Sequence, residues 1–308
     1  MNFETYPINS FNRYFRSLYG GSVGKITLDA GLTCPNREKG GCIYCSSEGF
    51  TPYYLNHNDS LAKQLEKGKE FLKKRGYKKY FSYFQQETTT AVDLQKLKPM
   101  LEQAAAGDDC LGLIVSTRPD YLDDDVLIAL EKLASGGKEM LLELGLQSCH
   151  DQTLKFLNRN HSYRDFEEAA LRVKGYPAIS LGVHLILGLP GESYRDMLET
   201  VNTVCNLGVD YIKLHHLVVN RGTPLAGMYK AGRIKLFTFR EYLDILAPLL
   251  GHIPKDVVLH RFWSTSHPDI EIAPCWNLYS YKLNNMLLKE MKDNDIWQGK
   301  YVDHGTEF

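Results

Sequence analysis

Short β-rich runs alternate with helical patterns along most of this chain, and that alternation limits its fold more than any other feature. Lys25–Ala30, Lys79–Phe84, Leu111–Ser116, Met140–Leu146, Ile179–Leu187 and Tyr211–Val218 read as strands. Between them, Ser60–Arg75, Leu94–Ala106, Asp123–Leu133, Tyr163–Lys174 and Tyr194–Leu207 carry helical spacing, as with Leu61, Leu65 and Leu72. Thr238–Leu250 is a further helix, and Val257–Arg261 a candidate seventh strand. Strand–helix–strand units of this kind make parallel sheets with right-handed crossovers. Six repeats in roughly 200 residues fit one α/β domain, a partial (β/α)6 TIM-type barrel, better than two separate domains. The expected organisation is an N-terminal extension over 1–24, the barrel over 25–235, and a C-terminal helical and strand extension over 236–308. Polar clusters follow the strand ends, after Ala30, Phe84, Val115, Leu187 and Leu217 and at Gln147. In a barrel of this type the reactive groups sit at that face.

Composition narrows the class of protein. Of 308 residues, 44% are hydrophobic and 24% charged, enough to bury a single large core and unlike a disordered or collagenous chain. Lys and Arg total 36 against 37 Asp and Glu, so bulk charge names no partner. Met1–Gly20 has no apolar signal core, and no run reaches the roughly 18–20 apolar residues of a membrane helix. A cytoplasmic protein without a membrane partner is expected. Seven cysteines, an odd count in a long chain, fit reduced thiols better than a disulfide framework.

Three of the seven fall within twelve residues, at Cys34, Cys42 and Cys45, in a loop directly after the first strand. The spacing is C-x7-C-x2-C, with Gly40 and Gly41 permitting a tight backbone path. Three thiolates can hold three irons of a 4Fe–4S cluster and leave the fourth open. Three unliganded thiols are an alternative. A zinc site is another, but it wants a fourth ligand, and the nearest histidine, His57, lies twelve residues past Cys45. An open fourth iron is the signature of radical chemistry with S-adenosylmethionine, in which the cofactor supplies the hard chemistry.

At these residues the sequence resembles the radical S-adenosylmethionine superfamily. Its usual motif is C-x3-C-x2-C with an aromatic before the last cysteine; here the first gap is longer and Tyr44 holds the aromatic position. Long first gaps occur in the radical domain of the Elongator catalytic subunit and in a bacterial group, the YhcC/YtqA-like proteins. The second resemblance covers nearly the whole chain, from Lys25–Asp29 through Cys34-Pro35-Asn36-Arg37 to Ile272-Ala273-Pro274. Glu143–Ser148 with Asn158-Arg159-Asn160-His161 is similar to both groups, and Gly188–Glu192 to the fifth-strand turn of many radical enzymes. Lys213–Leu217 and Gly222–Leu225 resemble the bacterial group alone. The superfamily's usual Gly-Gly-Glu segment is replaced by Gln85-Gln86-Glu87-Thr88.

The resemblance implies a cluster on Cys34, Cys42 and Cys45 and an S-adenosylmethionine site drawn from Tyr44, Gln85, Thr88, Ser116, Glu143, Gln147, Arg159, Gly188 and Leu189. Tyr44 packs on the adenine or cluster, or is plain core. Gln85 and Thr88 stand where the methionine end lies, or in a solvated loop. Arg118 ends the third strand and pairs with a carboxylate or, at the surface, with Asp120. Glu143 is costly if buried unpaired, so the ribose or Arg159 is its expected partner. Lys213 and His215 share one face of the sixth strand and are the candidate catalytic pair, against a purely structural role. Gly188, Leu189, Pro190 and Gly191 shape a turn near the adenine, or merely connect strand to helix. Cys275 is expected to be a buried inert thiol, with a redox participant as the alternative, and Cys110, Cys149 and Cys205 are core or surface thiols.

Further, the resemblance implies a tRNA wobble-uridine substrate, with a carboxymethylaminomethyl side chain shortened to aminomethyl, and a flavodoxin- or ferredoxin-type reductant. Two features suit RNA. Ser60–Tyr80 carries eight basic and two acidic residues, and Arg13, Tyr14, Phe15 and Arg16 mix phosphate-binding with base-stacking types. A radical enzyme on a small molecule or protein side chain, and a non-catalytic metal-binding protein, are the competing readings.

Overall fold

A computed structural model describes residues 6–46, 52, 54–56, 58–264, 266 and 268–302. The parallel strands are β1 (Val23–Leu28), β2 (Lys79–Phe84), β3 (Cys110–Thr117), β4 (Glu139–Gln147), β5 (Ser180–Leu187), β6 (Tyr211–His216) and β8 (Val258–Arg261). They lie side by side in chain order, all parallel. The helices are α1 (Phe11–Tyr19), α2 (Leu61–Lys73), α3 (Leu94–Ala105), α4 (Asp124–Ser135), α5 (Asp151–Phe156), α6 (Tyr163–Lys174), α7 (Tyr194–Asn206), α8 (Pro224–Lys230), α9 (Phe239–Leu250) and α10 (Ser280–Asp293). A two-stranded antiparallel sheet joins β7 (Val219–Asn220) to β9 (Glu271–Ala273). Helices α6, α7 and α9 each open with a reciprocal capping box, Ser162–Asp165, Ser193–Asp196 and Thr238–Glu241, which satisfies their first free N–H groups.

The sheet therefore has seven strands, because the candidate seventh, observed as Val258–Arg261, joins it beside β6. It runs on past residue 235, into the segment expected to be an extension. It is also strongly curled. Flat, seven strands would set β1 and β8 about 29 Å apart at ~4.8 Å per strand. Instead the Nζ of Lys25 on β1 meets the Nε2 of His260 on β8 across the interior.

Two apolar layers hold this half-barrel. The larger lies between the outer sheet face and the helices, with Ile26, Leu28, Leu113, Leu142, Val183 and Leu214 fully or almost fully buried. The smaller fills the interior at the N-terminal strand ends. There α1 inserts Phe11 and Phe15 against Val23, Phe81, Tyr211 and Val258. Phe15 packs edge-on to Phe81 at 4.7 Å and is stacked with Tyr211 at 6.4 Å. The N-terminal aromatics are therefore a plug and are not free to stack on bases: Phe15 is fully buried and Tyr14 packs on it. Arg13 donates to the Tyr6 carbonyl and Arg16 to the Ser22 hydroxyl.

Part of the basic block is paired. Lys63, Lys67 and Lys69 pair with Glu66, Asp59 and Asp109, and Arg75 lies 3.6 Å over the Phe71 ring. Lys78 and Lys79 stand at the start of β2, the opposite end of the strands from the cysteine loop. No helix among the described residues is long and apolar enough to cross a membrane.

Candidate active site

The loop after β1 folds Cys34, Cys42 and Cys45 onto one cavity. A 3-10 turn over Pro35–Lys39 follows Cys34. Gly40 and Gly41, at φ +90° and +69°, then reverse the chain in a backbone region glycine enters without penalty. The Cys45 N–H closes on the Cys42 carbonyl at 3.0 Å, so both thiols face the same way. All three cysteines line a cavity of about 140 Å³, with Tyr44, Gln85, Thr88, Ser116, Gln147 and Arg159 in its wall.

The sulfurs are hydrogen-bond acceptors. Asn36 Nδ2 and Arg159 Nη1 each donate to Cys42 Sγ at 3.3 Å, and Thr88 Oγ1 to Cys34 Sγ at 3.1 Å. Burial pushes the Cys42 thiol up, but the Arg159 charge and these bonds outweigh it and hold the thiol below its ordinary value. Cys45 is pushed up to about 12 by burial and then by Cys42 beside it. Arg118, 4% exposed, also lines the cavity, and its Nη1 is buried without a hydrogen-bond partner among the described residues. Its pair with Asp120, one of the partners expected from the sequence, is bidentate at 2.9 and 2.8 Å, with the guanidinium buried and Asp120 exposed. Three thiols beside two guanidinium groups suit a cluster that takes thiolate ligands and carries negative charge.

The Asn158–His161 segment braces this loop. Asn158, at φ +54°, donates to the carbonyls of Lys39 and Gly41 at 3.0 and 2.7 Å. Asn160 donates to Asn36 Oδ1 at 2.6 Å. Arg159 Nη2 donates to the Gly145 carbonyl at 2.5 Å, and a Cβ on Gly145 would lie 3.1 Å from that nitrogen. Arg159 is therefore engaged with the cysteine loop and not with Glu143. In the segment replacing Gly-Gly-Glu, Glu87 accepts from the Cys34 N–H at 3.0 Å and from Arg37 at 3.0 and 2.6 Å.

Glu143 lies deeper, 2% exposed, and its partners are side chains of the barrel interior. Tyr83 OH donates to it at 2.7 Å, Ser116 Oγ at 2.8 Å, and His184 and His260 bond to it at 2.6 and 2.5 Å. Lys213 Nζ is 3.6 Å from Oε2 and also donates to Tyr83 OH. Burial alone would raise the Glu143 carboxyl; Lys213, His184 and His260 overcome it and hold the group well below its ordinary value. Lys213 is lowered to about 8, by burial, with Glu143 opposing the shift. Tyr83, His184, His260 and Lys25 were missed from the sequence. Their signal was a polar residue at every second position of an apolar strand, clearest for His184 between Gly182 and Ile186.

Lys213 and His215 line a second cavity of about 150 Å³, which shares Tyr44, Gln85, Gln147 and His184 with the cysteine cavity. The two are contiguous. His215 faces Ser264 Oγ at 3.2 Å. Beyond Ser264 and His216, a groove of about 480 Å³ opens past Trp276, Leu278 and Tyr279. Cys275 lines that groove and is exposed, not buried as expected, because the chain turns outward after β9. Gly188 and Leu189 are in neither cavity wall. Leu189 is buried among Leu157, Leu217 and Val219, and Gly188, at φ +82°, lies against the Phe237 ring.

Residues 31–204 match the family described as Radical SAM superfamily, and residues 209–293 the Radical_SAM C-terminal domain. Protein YhcC of Escherichia coli (strain K12) is 35% identical over 275 residues, 87% of each chain. The tRNA uridine(34) acetyltransferase of Methanocaldococcus infernus is 29% identical over 155 residues, which are 49% of this chain and 28% of that one. The structure of archaeal Methanocaldococcus infernus Elp3 with an N-terminal deletion superposes with a TM-score of 0.65 at 21% identity, over 90% of this chain and 64% of that one, which makes the fold the same. With the curled parallel sheet, the cysteine loop at its C-terminal face and these matches together, the chain belongs to the radical SAM superfamily, an enzyme family that uses a 4Fe–4S cluster and S-adenosylmethionine.

Proposed function

We propose that this protein is a radical S-adenosylmethionine enzyme acting on the wobble uridine of tRNA, where it shortens a carboxymethylaminomethyl side chain to aminomethyl. The observation that carries the enzymatic part is the shared wall of the two cavities: three thiols on one side, Lys213 and His215 on the other. The tRNA part is supported by the likeness of about half the chain to a protein named for uridine 34.

Cys34, Cys42 and Cys45 hold the cluster, and the wall formed by Tyr44, Gln85, Thr88, Ser116, Gln147 and Arg159 receives S-adenosylmethionine. When bound, this pair would supply a 5'-deoxyadenosyl radical, on an electron from a flavodoxin- or ferredoxin-type reductant, to take a hydrogen atom from the carboxymethyl carbon next to the side-chain amine; return of one further electron to the oxidised cluster would leave an imine, which water would hydrolyse to the aminomethyl group and glyoxylate. Arg159 and Asn36 orient Cys42 and favour its thiolate. The α1 plug closes the lower end of the barrel, so water is excluded from below. Lys213 carries a proton on Nζ at neutral pH, beside Tyr83 OH, and presents it to the cavity.

The test is anaerobic reconstitution followed by assay for deoxyadenosine, together with nucleoside analysis of tRNA from a strain lacking the protein. The expected result is accumulation of the carboxymethylaminomethyl form. Wobble nucleosides identical to the parent strain would overturn the substrate.

A further inference from the structure

The barrel interior sets Lys213 and Arg261 side by side, with Glu143 as the carboxylate next to them among the described residues. Lys25, Lys213 and Arg261 surround Glu143, with Tyr83, His184, His215 and His260 as the other titratable groups facing them. Lys213 is 2% exposed and Lys25 half-buried; burial lowers both amines, Lys25 well below its ordinary value, and Glu143 opposes that shift on each. Arg261 stands beside Lys213 in the β6–β8 register. Its charge acts on Lys213, His184 and His215, and its Nη1 is buried without a hydrogen-bond partner among the described residues. A buried guanidinium N–H left unpaired costs more than a neutral one. Lys213 has three donors, of which Tyr83 OH takes one and Glu143 lies at 3.6 Å. The cavity above it has hydroxyl and imidazole groups, Ser264 and His215, but no carboxylate among its described lining residues.

We infer that this lumen is built to receive the carboxylate of the substrate, held between Lys213 Nζ and Arg261 Nη1 with Ser264 at its rim. An entering carboxylate satisfies the orphaned Arg261 donor and lies beside Lys213, its neighbour in the strand register, where Glu143 is one carboxylate for two adjacent basic groups. The inference rests on the reading above that this cavity is the substrate site. It assigns the recognised feature as an acid group near an amine. It also explains how a carboxymethylaminomethyl side chain is told from its aminomethyl product, which lacks that group.

The test is calorimetric binding to the purified full chain at pH 7, with free 5-carboxymethylaminomethyluridine, 5-aminomethyluridine and N-methylglycine as probes. The acid-bearing nucleoside is expected to bind at least tenfold tighter than the aminomethyl one. Arg261→Met at the strand end, and Lys213→Met, remove that difference; Lys213→Arg, which keeps the charge, retains most of it. Equal affinities for the two nucleosides would overturn the carboxylate site, whatever the tRNA analysis shows. An unchanged preference in a folded Arg261→Met variant would remove Arg261 from it. N-methylglycine binding that depends on Arg261, with neither nucleoside bound, supports the acid site and instead refutes the uridine substrate.

Discussion

Replacing Glu143 with Gln keeps the side chain's shape and removes its charge. Five groups converge on this carboxylate: Tyr83, Ser116, His184 and His260 by hydrogen bonds of 2.5–2.8 Å, and Lys213 at 3.6 Å. A Gln offers one oxygen and two N–H donors, so one side of the network meets donor against donor. Lys213 also loses the carboxylate that opposes its burial. Breaking a buried pair in this way costs about 3–5 kcal/mol, a large part of the ~5–15 kcal/mol of an ordinary domain. At ~2–3 °C per kcal/mol for a chain of this size, the melting temperature falls by about 6–15 °C. The sign with pH follows from the carboxyl's lowered value in the fold. Its stabilisation is full above the ordinary value of 4.5 and is lost as pH falls through the lower folded value. The penalty of Glu143→Gln, read by urea unfolding, is therefore constant near neutrality and shrinks in acid. Combining it with Lys213→Met yields a coupling of about 1–3 kcal/mol. A cost under about 1 kcal/mol, or purely additive variants, would refute the charge balance described for the lumen.

Three further outcomes test other parts of the molecule. Cys42→Ala abolishes iron and sulfide incorporation on anaerobic reconstitution, whereas Cys205→Ser, outside the cysteine cavity, leaves the iron content unchanged. Gly188→Ala sets a Cβ 2.7 Å from the Phe237 ring at φ +82°; it costs about 1–3 kcal/mol in denaturant unfolding, and a neutral variant would argue against that contact. Phe15→Ala empties the plug between Phe81 and Tyr211 and costs about 3–5 kcal/mol; a smaller effect, with no change in near-ultraviolet circular dichroism, would mean the plug is not packed as described.

Much of the fold was legible because its signals are local. The strand and helix periods along residues 25–250 arise from one-sided burial, which repeats every two or 3.6 residues whatever the tertiary partner. The four helices without a counterpart in the sequence reading fail for identifiable reasons. Helices α5 and α8 are six and seven residues long, too short to show a period. Helix α1 buries only Phe11 and Phe15, and its bare sequence reads equally as an RNA-facing arm. Helix α10 follows β9 beyond the regular βα alternation, where no repeat guided the reading.

The sequence by itself determined the chemistry at the mouth of the barrel. Three cysteines in one short loop meet because the chain between them is too short to let them part, so spacing alone implied a common centre. What the interior contains was decided only by closure of the sheet. Lys25 and His260 are 235 residues apart, yet they touch because the edge strands curl toward each other. Glu143, placed correctly on an inward face, found its partners on β2, β3, β5, β6 and β8 and left Arg159 to the cysteine loop. A strand's alternation says which side chains face inward, but which of them meet depends on strand order, register and curl, and these long-range quantities exist only in the folded barrel.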